Sequence, residues 1–110
     1  MEISSASWYT PEKKRLDLYN LHCPTCGSIY IHQQTIGIYN CDEDKTTGLH
    51  LEVNHTNFTM DTDMKDNPSP RRQGMSILFH CEECDGENPA SHILNIFQHK
   101  GQTMIGWEGK

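Results

Sequence analysis

Polar and apolar residues alternate with a period of two along most of this chain, the pattern of half-buried strands. Leu16-Asp17-Leu18-Tyr19 alternates, and Ser28-Ile29-Tyr30-Ile31-His32 places Ile29 and Ile31 on one face. Residues 35–40 continue as a short strand carrying Ile36 and Ile38, and 48–53 alternates strictly with Leu49, Leu51 and Val53 directed inward. Residues 57–60 form a weaker strand, and Met75-Ser76-Ile77-Leu78-Phe79-His80 sets Met75, Ile77 and Phe79 to one side. Residues 92–99 fit either a strand or a short helix. The strand is preferred, because Lys100-Gly101 can turn it into 103–107 as a terminal hairpin. Residues 1–14 have no periodic pattern and read as a flexible arm. Residues 61–74 hold two prolines, a closing glycine and no apolar stripe, and read as a loop. The acidic run Asp42-Glu43-Asp44-Lys45 is a solvated turn. The expectation is a mainly β chain with little helix, forming a single domain over 15–110 behind the arm.

Composition strengthens that picture and adds a difficulty. Two Ala against nine Ile and nine Thr disfavour a helical bundle. Hydrophobic residues make up only 35% of the 110 positions. A domain of this size buries a modest share of its surface, so such a thin apolar core calls for a further staple. No apolar run approaches the roughly 20 residues of a membrane span, and the first residues show no signal-peptide pattern. A soluble, cytoplasmic protein with no membrane partner is expected. The formal charge of −6 argues against non-specific nucleic-acid binding as a whole-protein property.

The cysteines supply a candidate staple. Of five, four fall in two C-x-x-C pairs, Cys23-Pro24-Thr25-Cys26-Gly27 and Cys81-Glu82-Glu83-Cys84-Asp85-Gly86. The odd count and the absence of a secretory pattern disfavour a disulfide framework. Paired C-x-x-C spacing matches tetrahedral Zn²⁺ coordination, since each two-residue spacer lets one turn aim both thiolates at a common point. Gly27 and Gly86 can take the positive φ that such a turn needs. A metal site at Cys23, Cys26, Cys81 and Cys84 is therefore the leading assignment, with zinc as the cofactor. Iron in a rubredoxin-like site, a redox pair and unligated cysteines are the alternatives. Strand, first knuckle and next strand would form a zinc-ribbon hairpin. The 54 residues between Cys26 and Cys81 would form an inserted antiparallel sheet of their own. Cys41 is left as a free thiol near a strand end, and His22 and His80 flank the site, the alternative being that one of them replaces a cysteine as ligand.

The run Cys23-Pro24-Thr25-Cys26-Gly27, the loop Asn67-Pro68-Ser69-Pro70-Arg71-Arg72-Gln73-Gly74, the run Phe79-His80-Cys81-Glu82-Glu83-Cys84 and the segments Gln98-His99-Lys100-Gly101 and Ile105-Gly106-Trp107-Glu108 together resemble small uncharacterised zinc-ribbon proteins of bacteria and their phages. The resemblance covers residues 20–108. It implies a fold and a metal but no reaction. It also suggests a phage or mobile-element origin, in which case the location is the host cytoplasm.

Catalytic readings compete poorly. His50-Leu51-Glu52 ahead of Cys81-x-x-Cys84 imitates the zinc-deaminase pattern. Position 80 is His where that pattern has Pro, however, and Cys23 and Cys26 would have no task. Four thiolates leave no open position for activating water. The expected activity is therefore non-enzymatic binding, with a protein as the partner, and an acidic decoy of a nucleic-acid-binding host protein as the alternative. Arg71-Arg72 forms the tightest basic pair outside Lys13-Lys14-Arg15 and is the candidate partner contact, either as solvated charge or as a fork for phosphate or an acidic surface.

Overall fold

The structure, a computed structural model, describes residues 3–9, 15–42, 45 and 47–109. Eight strands and no helix are found among them. They are β1 (Ile3–Tyr9), β2 (Arg15–Leu21), β3 (Ile31–Asn40), β4 (Leu49–Asn54), β5 (Asn57–Asp61), β6 (Gly74–Cys81), β7 (His92–His99) and β8 (Gln102–Trp107). All pairings are antiparallel. β1 and β2 form a two-stranded ribbon, and the rest form one six-stranded sheet in the order β5-β4-β3-β6-β7-β8. Among the described residues no helix is long and apolar enough to cross a membrane.

The register gives this sheet one continuous apolar face and one more polar, mixed face. Phe58, Val53, Ile36, Ile77, Leu94 and Trp107 stand opposite one another in a row crossing all six strands. Two residues along, Met60, Leu51, Ile38, Met75, Ile96 and Ile105 form a second such row. The intervening row on the other face is Thr59, Glu52, Gly37, Ser76, Asn95 and Gly106. Period-two alternation along each strand, held in phase by the ladders, keeps the first face apolar. The rows flanking this polar one add Leu78, Ile93, Phe97 and Met104 to the second face. Full burial is scarce: among the described residues, Tyr39, Phe79, Leu94 and three cysteines are the buried hydrophobic ones. Phe79 meets Trp107 edge to face with ring centroids 5.5 Å apart, and this contact lies toward the end of the sheet that carries Cys81.

Four expectations change. Where a loose arm was expected, Ile3–Tyr9 pairs along its full length with β2. That strand is held by a backbone ladder, and its serines gave no apolar alternation to read. Residues 1–2 and 10–14 lie outside the described set. The hairpin expected around the first knuckle does not form, because β2 pairs with β1 while β3 pairs with β4 and β6. The segment between the knuckles is likewise no separate sheet, since β3 to β6 are continuous with β7 and β8. The two short strands expected at 28–32 and 35–40 are one strand starting at Ile31, with a register shift between Gln33 and Thr35. Residues 92–99 are a strand, and Lys100 and Gly101, with φ of 51° and 76°, make the two-residue turn into β8.

The expected loop at 61–74 spans residues 62–73, and its polar residues anchor it. Asn67 Nδ2 donates to the Arg72 carbonyl at 2.7 Å and its Oδ1 accepts from the Ser69 amide at 3.0 Å. The buried Ser69 hydroxyl donates to the Gln98 carbonyl at 2.8 Å and accepts from the Arg72 amide. Lys65, Asp66, Asn67 and Pro68 line a cavity of about 500 Å³ with Thr35, Gly37 and Ser76 of the polar face.

Candidate metal centre

β3 leaves the first knuckle at Ile31 and β6 enters the second at Cys81, and these two residues are register partners. The Glu82 amide extends the ladder by donating to the Tyr30 carbonyl at 3.1 Å. Antiparallel pairing of β3 with β6 thus returns the chain to its starting point across 54 intervening residues. The two C-x-x-C turns meet at one end of the sheet.

Each knuckle is a hydrogen-bonded turn. In the first, the Gly27 amide donates to the Cys23 carbonyl at 2.9 Å and the Cys23 amide to the Ser28 carbonyl at 2.7 Å. In the second, the Asp85 amide donates to the Cys81 carbonyl at 3.0 Å. Backbone amides also point at sulfur: Thr25 N–H at Cys23 Sγ, 3.4 Å, and Cys84 N–H at Cys81 Sγ, 3.5 Å. Gly27 and Gly86 have φ of 79° and 56°, the left-handed conformation that glycine adopts without a Cβ penalty. His22 and His80, each preceding the first cysteine of its knuckle, clamp those glycines. His22 Nδ1–H donates to the Gly27 carbonyl at 2.9 Å and His80 Nε2–H to the Gly86 carbonyl at 2.7 Å.

The four sulfurs all lie within 4.8 Å of one another. Cys23 and Cys84 are 3.4 Å apart, Cys26 and Cys84 3.5 Å, and Cys26 and Cys81 3.6 Å. A tetrahedron of thiolates at about 2.3 Å from a central ion has edges of about 3.8 Å. These four residues could therefore hold one metal ion. The cysteines are all free, two buried (Cys23 and Cys81) and two at the surface. Burial raises the Cys23 thiol, but the amides of Cys26 and Thr25 and the neighbouring thiols outweigh it and bring the group down to about 7. Burial and the three crowded sulfurs push Cys84 up, and Cys26 is also raised despite the Ser28 backbone bond that favours its thiolate. One thiolate in this cluster thus opposes the next, and a bound dication removes that opposition.

Two residues behind the cluster escaped the sequence reading. His92, 2% exposed at the start of β7, places Nε2 3.6 Å from Cys23 Sγ and 3.1 Å from Thr25 Oγ1. Its Nδ1–H donates to Asp85 Oδ2 at 3.3 Å. That same carboxylate accepts the Cys81 amide at 2.8 Å and the Ser91 hydroxyl at 2.7 Å. Burial raises Asp85, but the Cys81 amide, Ser91 and His92 together hold its carboxyl down to about 2. The second knuckle carries one more residue before its glycine than the first, Asp85. This asymmetry was the available signal that a side chain there serves the turn.

The remaining expectations divide. Cys41 is a buried free thiol one residue past β3, its Sγ 3.3 Å from the Asp42 and Lys45 carbonyls. The deaminase arrangement is not assembled: His50 stacks on Tyr39 with centroids 4.4 Å apart and bonds Asp61 at 3.0 Å. Tyr39 is the register partner of Gly74, so His50 sits about 23 Å along β6 from Cys81. Arg71 and Arg72 also lie at that far end. There they line a cavity of about 330 Å³ with Ser69, His99 and Lys100. Among the described residues, none of the four clustered cysteines lines that cavity or the 500 Å³ cavity on the polar face.

Comparison with protein-family models, with curated proteins and with solved structures finds no match for this chain.

Proposed function

We propose that this chain is a non-enzymatic binding module, stapled by one structural Zn²⁺ on Cys23, Cys26, Cys81 and Cys84, that contacts a protein partner through its Arg71-Arg72 end. The carrying observation is the convergence of four sulfurs within 4.8 Å of one another. Such a set saturates a tetrahedral ion, which supports a structural role over hydrolysis at the metal. Zinc is favoured by the all-thiolate set. It would contribute on the order of 10 kcal/mol of apparent binding energy, enough to offset a core with so few buried apolar side chains. Arginine and lysine side chains gathered from two distant segments around one cavity support a contact with a carboxylate-bearing surface.

The charge of −6 supports a second reading, an acidic decoy that occupies a nucleic-acid-binding protein, in keeping with a phage origin and a host-cytoplasm location. Capture of the partner by the wild-type chain and by Arg71→Ala/Arg72→Ala separates the two. The module reading expects the double variant to keep its zinc content and melting temperature while losing roughly 1–3 kcal/mol of binding. A decoy keeps its partner in the double variant and loses it to competing DNA. A double variant that unfolds makes these arginines structural and contradicts the module reading.

A further inference from the structure

No second layer among the described residues covers the two apolar rows of the six-stranded sheet, of which Leu94 is the one buried member. Among the described residues no strand outside the sheet packs across them, and β1 pairs only with β2. Phe58 is 67% exposed, Met60 63% and Ile105 56%, and even Ile38 on the central strand β3 is 37% exposed. A β-sheet with one apolar face is ordinarily half of a two-layer structure. Lys65, Asp66, Asn67 and Pro68 of the loop lie against the opposite, more polar face.

We propose that this face binds a second copy of the same chain, sheet against sheet, to form a two-fold sandwich. Area favours it. The chain exposes 8003 Å², whereas a compact monomer of its mass exposes about 6,200 Å². That surplus of about 1,800 Å² is shared between the open apolar face and the separate β1–β2 ribbon, and it leaves room for the roughly 800 Å² that each partner contributes to a stable interface. Charge favours a like partner as well. Neither row contains an ionisable side chain, so two chains of charge −6 can close here without opposing like charges. A face made for a charged partner would carry the complementary sign. Symmetry is also met, because a two-fold axis between the sheets and parallel to the strands lays each apolar row on its own copy. It sets Phe58 and Met60 of one chain over Ile105 and Trp107 of the other, and the reverse. Side chains of two such faces interdigitate in sheets about 10 Å apart. The proposal does not depend on the metal's identity or on the partner contact at Arg71.

Sedimentation of the full zinc-loaded chain over micromolar concentrations tests it. The expected mass is twice the 12.6 kDa of one chain. Met60→Lys/Ile105→Lys, both on exposed edge-strand positions, should sediment as one chain with unchanged zinc content and strand circular dichroism. Thr59→Lys, on the opposite face of the same strand, should remain dimeric. Should the double lysine variant fail to fold, Met60→Gln alone should raise the dimer dissociation constant at least tenfold. A wild-type chain that sediments as a monomer throughout overturns the proposal, as does a dimer that survives the lysines or is broken by Thr59→Lys.

Discussion

Replacing Asp85 with alanine should damage this protein more than any exposed substitution, although Asp85 is no metal ligand. Its carboxylate is buried and accepts from the Cys81 amide at 2.8 Å, the Ser91 hydroxyl at 2.7 Å and the His92 ring at 3.3 Å. Ser91 is exposed and can turn to water. The Cys81 amide and His92 cannot, and each buried donor left without an acceptor costs about 1–3 kcal/mol. The loss is therefore about 2–6 kcal/mol, against a total of roughly 5–15 for a domain of this kind. At about 4 °C per kcal/mol, the melting temperature should fall by roughly 8–24 °C. Metal affinity should fall as well, by about 10–100-fold, because His92 loses the carboxylate that holds its ring against Cys23. Asp85→Asn keeps the volume and one acceptor oxygen, and should lose about half as much. Thermal melts of the zinc-loaded variants, with competition against a chromophoric chelator, read both quantities. If Asp85→Ala melts within about 2 °C of wild type and holds its metal equally well, the carboxylate is not the bracket of the second knuckle and the reasoning fails.

Other perturbations probe the rest of the fold. A Cβ at Gly74 would come within 2.3 Å of Asn67 Oδ1 and 2.9 Å of Pro68 Cγ, both fixed by the loop's own bonds, so Gly74→Ala should cost about 1–3 kcal/mol in a denaturant melt. An unchanged midpoint would mean that the loop is not seated on β6. The Asp63 amide, with His50 behind it, holds the Asp61 carboxyl below its usual 3.8. A group with a depressed folded pKa contributes stability above its unfolded value that is lost as pH falls through the folded one. Asp61 should therefore titrate below 3.8 in a carbon-detected NMR titration of the folded chain, and a midpoint above that value would contradict the turn described here.

Much of this fold was legible because its strands alternate cleanly. β4, β6, β7 and β8 were placed to within a residue or two by Leu49-Leu51-Val53, Met75-Ile77-Phe79 and the Lys100-Gly101 turn. The four cysteines were legible for a different reason, since C-x-x-C spacing encodes a local turn that needs no tertiary information. β1 was missed because Ser4, Ser5 and Ser7 are strand residues only through their ladder to β2. The first-knuckle hairpin was misassigned because pairing partners depend on where distant strands go, and local periodicity is silent about that. Residues 28–30 alternate like a strand, but the knuckle holds them: the Tyr30 amide donates to Ser28 Oγ at 3.0 Å while the Ser28 carbonyl accepts from Cys23. His92 and Asp85 could not be paired in advance, because their contact depends on the hairpin that folds β7 back on β6.

The central claim is that one metal ion, zinc, closes the meeting point of β3 and β6. Native mass spectrometry of the purified chain, combined with elemental analysis, addresses it most directly. The account predicts one Zn²⁺ per chain in the wild type and in Cys41→Ser, and none in the Cys23→Ser/Cys26→Ser variant, whose native charge envelope should shift to that of an unfolded chain. A fully folded wild-type chain without metal, or a Cys23→Ser/Cys26→Ser variant that retains zinc, would contradict it.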